Sequence, residues 1–238
     1  MTSPLVISHR GASAYRPENT LPAYELAFAQ GADMIEIDLH CTRDGAVVVT
    51  HDENLASLGG SGEIAAATLA EVRALDAGGG ERVPTLDEVL ERFGERIAFN
   101  LELKRGTRAD YPGLERLALE ALERRGLLDR TLFSSFHDPV LARLRALSPA
   151  ARIGLLLSRR WPDGGLERAR ALGAEALHPE RSLASPAFVA AAHQAGLAVH
   201  VYTVDEEDEL RRLLGLGVDG IFSNVPDRLR ALIDREGR

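Results

Sequence analysis

Four short apolar runs in the chain end in residues that a buried strand has no packing reason to carry: LVISHRG at 5–11, MIEIDLH at 34–40, VVVTHD at 47–52 and IAFNLELK at 97–104. Side chains two apart on a strand share a face, so Glu36 and Asp38 point together, as do Asn100, Glu102 and Lys104. Carboxylates that converge repel one another unless a cation sits between them or one keeps its proton. Glu36, Asp38 and Glu102 offer hard oxygen donors only, which favours one divalent cation, Mg²⁺, Ca²⁺ or Mn²⁺, over zinc or copper. Such a cation would polarise a substrate oxygen. His9 and His51 arrive from separate strand ends, and two imidazoles flanking one centre let one remove a proton while the other delivers one. Arg10 and Lys104 add positive charge, which suits an anionic substrate such as a phosphate ester. Those parts describe phosphodiester cleavage. Each is weak alone: E-x-D on a strand is more often a rim of ion pairs, and His40, His137, His178, His193 and His200 read as satisfied core or surface residues.

The use of basic residues adds a second observation. Of 28, Lys104 is the single lysine and the rest are arginines. A lysine is a compact point charge and an arginine a broad planar fork, so a tight charged pocket is one reason for the exception, and lack of drift is another.

These residues need a scaffold, and the length and patterning supply one. At 238 residues, 45% hydrophobic and with a net charge of −8, the chain can bury a sizeable core. No Pro/Gly/Ser-rich linker divides it, so residues 1–238 read as one domain. Apolar runs near 5–9, 34–39, 97–103, 131–135, 152–157, 174–178, 198–203 and 219–222 alternate with amphipathic stretches near 20–30, 85–93, 112–125, 138–147, 165–172, 186–195, 206–215 and 226–235. Eight strand–helix pairs are the count for an α/β fold of the closed (β/α)₈ TIM-barrel type. Asp138-Pro139, Ser185-Pro186 and Asp205 read as helix starts, and Gly31, Gly126, Gly173, Gly196 and Gly217 fall where helices should end. A doubly wound sheet would want G-x-G-x-x-G after its first strand, and SHRGASAYRPENT lacks it. One insertion, about 46–84, interrupts the alternation between strand 2 and helix 2. It holds the short strand AVVVTHD and the helical stretch TLAEVRALDAG, on the face where catalytic loops gather.

The same reading bounds partners and compartment. No basic patch rich in aromatics points to nucleic acid. The N-terminus lacks a positive leader and long apolar stretch, and nothing approaches a membrane span, so the expectation is a cytoplasmic protein without stable membrane association. Cys41 is the sole cysteine, which excludes an internal disulfide. The acidic strand beside it opposes thiolate formation and hence a catalytic role. Homo-oligomerisation stays open.

Taken in order, H-R-G-x-x-x-x-x-P-E-N-T at 9–20, E-x-D-x-x-x-T-x-D-G at 36–45, H-D at 51–52 and N-L-E-L-K at 100–104 resemble the glycerophosphodiester phosphodiesterases. The likeness continues in PTLDEVL at 84–90, FSSF at 133–136, VYTVD at 201–205 and GVDGIFSNVPD at 217–227. The resemblance implies His9 and His51 as the acid–base pair, Glu36, Asp38 and Glu102 as metal ligands, and Arg10 and Lys104 as phosphate contacts. It implies Glu18 at the entrance, with Glu18-Asn19-Thr20 capping the first helix, and Tyr202 lining the mouth. It also implies a small-molecule substrate: the glycerol hydroxyl beside the phosphodiester attacks phosphorus, and the resulting cyclic phosphate is opened to sn-glycerol 3-phosphate and an alcohol such as choline or ethanolamine. The family usually carries tryptophan at Tyr202, asparagine at Asp205 and aspartate at Asn224, which bears on head-group preference. A lipid-directed enzyme of the sphingomyelinase D or phosphatidylinositol phospholipase C kind would show an apolar insertion or disulfide cysteines, and a non-enzymatic barrel would lack part of the constellation. All seven core positions are filled.

Overall fold

The computed structural model describes residues 3–107, 109–160 and 164–236. Strands β1 (Leu5–His9), β2 (Met34–Cys41), β4 (Ala98–Leu103), β5 (Thr131–Ser135), β6 (Arg152–Leu157), β7 (Ala176–Pro179), β8 (Ala198–Val201) and β9 (Gly220–Ser223) each pair in parallel with the next. β9 returns to β1, closing an eight-stranded barrel. A further short strand, β3 (Val47–Val49), lies antiparallel on the outer part of β2. Helices α1 (Leu21–Ala29), α3 (Leu86–Phe93), α4 (Leu114–Glu123), α5 (Asp138–Leu147), α6 (Gly165–Leu172), α7 (Pro186–Gln194), α8 (Glu207–Leu216) and α9 (Pro226–Glu236) follow the barrel strands in turn. This is the (β/α)₈ fold read from the sequence, with the insertion where it was placed.

Period-2 alternation explains how one strand serves two environments. Ile35, Ile37 and Leu39 of β2 and Phe99, Leu101 and Leu103 of β4 pack outward into the helix-covered core. Their neighbours Met34 and Ala98 turn inward and meet Ile7, Leu132 and Phe222 in a plug that fills the barrel below the site. The closed barrel has no edge and both its faces are covered, so the strands read as near-continuous apolar runs, until the inward positions become charged at their C-terminal ends.

The insertion has its own small core of Val48, Leu55, Ile64, Ala67, Val72 and Val83. The helix expected over TLAEVRALDAG is only the five-residue α2 (Leu69–Arg73), closed at its start by a capping box between Thr68 and Glu71. It stops early because Asp76 Oδ1 takes hydrogen bonds from the Gly78 and Gly80 amides, turn chemistry that competes with helix. A second capping box, Thr85 with Glu88, starts α3. Asp138 opens the first turn of α5, as expected, and binds Arg168 through both oxygens, while His137 holds the cap position. One expected helix start differs: Asp205 lies outside α8, whose cap is Glu206. The glycines assigned to helix ends all have positive φ. Among the described residues no helix is long and apolar enough to cross a membrane.

Candidate active site

The charged residues gather at the C-terminal mouth of the barrel because of register. Asp38 and Glu102 are direct partners across β2 and β4, and Glu36 is the partner of His9 on β1 and of Asn100 on β4. Neighbouring strands lie about 4.8 Å apart, so the inward carboxylates have nowhere to separate. One oxygen from each of Glu36, Asp38 and Glu102 lies within 4.8 Å of the others, and all three residues are buried. Lys104 Nζ sits 2.9 Å from Asp38 and 2.6 Å from Glu102. Arg10 Nε lies 3.2 Å from the other Asp38 oxygen, which also accepts from Asn19 Nδ2 at 2.8 Å.

This packing divides the carboxylates. Burial would raise the pKa of Asp38, but Lys104 and Arg10 outweigh it and hold the group well below the usual carboxylate range. Burial, with the charges of Asp38 and Glu102, pushes Glu36 well above that range. Glu102 is also raised, by burial against the pull of Lys104. Three carboxylates face two cations, and Glu36 Oε1 is buried with no hydrogen-bond partner. The donor set is all oxygen and could hold a hard cation.

The His-Arg-Gly turn aims the cationic groups. Arg10 and Asn19 are the two non-glycine residues with positive φ among those described, both at 56°, a conformation that costs roughly 1–2 kcal/mol for a residue with a Cβ. Arg10 is held there by its amide, which donates to Glu36 Oε2 at 3.0 Å, and by Asn19 N donating to Arg10 O. Both Glu18 oxygens accept from Arg10 Nη1, at 3.1 and 3.0 Å. Glu18 is therefore placed beside the arginine, 49% exposed at the rim. Gly11 has φ of 85°, and a Cβ there would lie 2.7 Å from the Ala23 Cβ, so α1 can pack on this turn only over glycine. Thr20 occupies the cap position of α1 without capping, its hydroxyl donating instead to Pro17 O.

Each histidine is braced from behind. His9 Nδ1 meets Asn224 Oδ1 at 2.8 Å, and Asn224 Nδ2 donates to Asp205 at 2.7 Å. Burial, helped by Arg10, lowers His9 to about 4, so it is neutral at physiological pH. His51 lies in the loop after β3, with Nδ1 2.9 Å from Asp52 Oδ1. Its carbonyl takes a hydrogen bond from His40 Nε2 at 3.1 Å, and His40 Nδ1 in turn accepts from Tyr111 OH at 2.6 Å. His40 is thus a satisfied core histidine, as its sequence context suggests, and also a strut for the His51 loop.

These groups open into one cavity of about 200 Å³ lined by His9, Arg10, Glu36, His51, Glu102 and Lys104 on one side. Phe136, Leu156, Tyr202 and Phe222 form the opposite wall. The Tyr202 hydroxyl is spent on the Leu157 carbonyl at 2.8 Å and its ring packs edge-on against Phe136, so it offers the cavity a ring. All nine sequence-nominated residues meet here, seven on the cavity wall, Asp38 buried behind it against Arg10 and Lys104, and Glu18 through its contact with Arg10. Sequence reasoning missed the hydrogen bond from Asn19 to Asp38, and it missed Ser13, Tyr111 and the brace made by Asp205 and Asn224. The last two stood out as separate departures from the family pattern, Asp205 also as a helix start, and the structure brings them into contact. Cys41 is buried, and burial together with Asp44 raises its thiol pKa, against any nucleophilic role.

Comparison with known proteins gives a consistent result. A curated glycerophosphodiester phosphodiesterase of Caldanaerobacter subterraneus subsp. tengcongensis is 36% identical over 98% of this chain and 99% of its own length. One of Bacillus subtilis is 35% identical over 94% and 84%. A solved structure of an Oleispira antarctica phosphodiesterase in complex with the product sn-glycerol-3-phosphate superposes with a TM-score of 0.86 and 35% identity, covering 97% of both chains. The model of the glycerophosphoryl diester phosphodiesterase family matches residues 9–228, and the chain belongs to that family of phosphoric diester hydrolases.

Proposed function

We propose that the chain hydrolyses glycerophosphodiesters to sn-glycerol 3-phosphate and an alcohol, using one divalent cation at Glu36, Asp38 and Glu102 and proton transfer between His9 and His51. The observation that carries the cation is the partnerless Glu36 Oε1 inside a buried all-oxygen cluster whose three carboxylates, once all ionised, outnumber its own two cations by one charge. Mg²⁺ or Ca²⁺, with Mn²⁺ also suited, would supply positive charge to a phosphoryl oxygen. His9, neutral and hydrogen-bonded through Nδ1, takes the proton of the glycerol hydroxyl beside the phosphodiester. That oxygen attacks phosphorus to form a cyclic phosphate, and His51, oriented by Asp52, hands a proton to the departing alcohol. Water then opens the ring, with the two histidines in reversed roles. Arg10, oriented by Glu18, and Lys104 balance the negative charge that builds on the phosphoryl group. Tyr202 and Phe136 flank the organic part of the substrate.

The product bound by the Oleispira antarctica relative supports a small glycerol phosphate as ligand. In this reading residues 1–238 act as one cytoplasmic catalytic unit on water-soluble substrates, with the insertion delivering His51. The test is a panel of glycerophosphodiesters incubated with chelated, metal-free protein and then with Mg²⁺, Ca²⁺ or Mn²⁺ restored, following release of sn-glycerol 3-phosphate. Turnover should depend on the cation, and full turnover by demonstrably metal-free protein would refute the metal-dependent reading.

A further inference from the structure

The geometry points to Asp205 and Asn224 as an interlocked pair of positioning residues that sets the tautomer of His9. This rests on the reading of His9 as a proton-transfer residue and adds which groups make it one. An asparagine amide can face either way until its partners are known, and here they fix it. Asn224 Nδ2 faces Asp205 Oδ2 at 2.7 Å, and a carboxylate oxygen there needs a donor. The carbonyl Oδ1 must then face His9 Nδ1 at 2.8 Å and the Ser13 hydroxyl at 2.7 Å. The carboxylate cannot turn away, because Asp205 Oδ1 already accepts from Asn224 N at 2.8 Å and Ser223 Oγ at 3.0 Å.

The consequence reaches the reacting centre in one step. His9 Nδ1 must carry the proton, so its Nε2 is left bare, on a ring that lines the cavity. Rotating the Asn224 amide would set its NH₂ against His9 and reverse the tautomer, and Asp205 prevents that rotation. The two residues also form a unit by hydrogen-bond count. Asn224→Asp alone would oppose two carboxylates at the 2.7 Å contact. Asp205→Asn alone would put an amide NH₂ against one of the three donors that Asp205 now accepts. The reciprocal exchange, Asp205→Asn with Asn224→Asp, satisfies every partner. The carboxylate then at position 224 accepts from His9, Ser13 and the new side-chain amide at position 205, whose carbonyl accepts from Ser223 and the backbone amide of position 224.

The experiment combines a spectroscopic readout with a mutant cycle, using cation-loaded enzyme. Long-range ¹H–¹⁵N correlation of the wild type should show His9 with a protonated Nδ1 and an unprotonated Nε2. Each single variant should lose roughly 10- to 100-fold in kcat, the range for residues that orient a reacting group, with KM changed less than about threefold. The double exchange should recover to within about fivefold of wild type. His9→Ala is the control for the underlying reading: if it keeps turnover, the role of His9 fails irrespective of the pair. If His9→Ala is inactive while His9 is found protonated at Nε2, or both singles match wild type, or the folded double is no better than the worse single, the pair does not set the tautomer.

Discussion

Replacing Lys104 by methionine removes the ammonium and keeps most of the side-chain volume, so it isolates the charge. The Lys104 Nζ distances to Asp38 and Glu102 are 2.9 and 2.6 Å. At an effective dielectric of about 20 each contact is an attraction of about 6 kcal/mol. Desolvating three buried ions offsets much of that, and breaking a buried pair by removing one partner leaves a net loss of roughly 3–5 kcal/mol. For a chain of this size such a loss lowers Tm by about 10 °C. A divalent cation at a thousandfold its Kd returns about 4 kcal/mol. Scanning fluorimetry at pH 8, where the carboxylates resist neutralisation, should therefore show Lys104→Met destabilised in chelator and largely recovered with saturating Mg²⁺ or Ca²⁺. The cation-induced shift should exceed that of wild type. Turnover should remain low in both conditions, because the positive charge beside the phosphoryl group is gone. A fall in Tm of less than about 3 °C in chelator, or a cation shift no larger than wild type, would refute the electrostatic account of the cluster.

Glu36→Gln mimics the protonated form that burial favours for this residue, so it should melt within about 2 °C of wild type in chelator, lose the cation-induced shift in Tm and lose at least roughly 10²-fold in turnover. Acid should destabilise the protein early: His9, His40 and His200 are lowered to about 4 by burial first of all. Stability from neutral histidines is full above the unfolded pKa of about 6.5 and drains away toward pH 4, by about 1.4 kcal/mol per pH unit for each. A Tm independent of pH from 7.5 to 5, with cation present to keep Glu36 and Glu102 ionised, would contradict this. A glycerophosphodiester whose hydroxyl beside the phosphate is methylated should not be cleaved, and normal release of its alcohol would replace the cyclic phosphate with direct attack by water. Lys104→Arg should also lose turnover, since its position between Asp38 and Glu102 suits a point charge better than a wide fork, and wild-type kinetics would make the lone lysine incidental.

The barrel was legible because its signal is local. Each strand is a short apolar run, the helices carry their own starts and stops, and Glu36, Asp38, Glu102 and Lys104 share faces by period 2 alone. The convergence of Asp38 with Glu102 needed register, which follows from barrel closure and from no single segment. Asp205 shows the limit more sharply. Next to Glu206 and Glu207 it reads as the start of a helix, but the Ser223 hydroxyl and the Asn224 backbone and side-chain amides, 18 and 19 residues away, recruit it. His40 likewise looks like a core residue from its strand, and its link to Tyr111 spans 71 positions. The early end of α2 was hidden for another reason: an apolar helical pattern lost to the glycine turn at Asp76.

The separate core beneath the insertion means that the two halves of the proposed proton-transfer pair are held by different reserves of stability. His9 belongs to the barrel, which can fail only by opening a closed ring of strands. His51 belongs to a segment resting on six buried apolar side chains and on a few ties to β2, among them Thr50 N to Asp38 O and His40 to the His51 carbonyl. Removing one of those side chains, as in Ile64→Ala, would cost about 2–5 kcal/mol, a large share of what so small a unit can hold, while leaving the barrel intact. Heat inactivation should then be a partial melting that precedes loss of the fold. Because all three carboxylates of the cation cluster lie in the barrel, bound metal would protect the scaffold more than it protects catalysis.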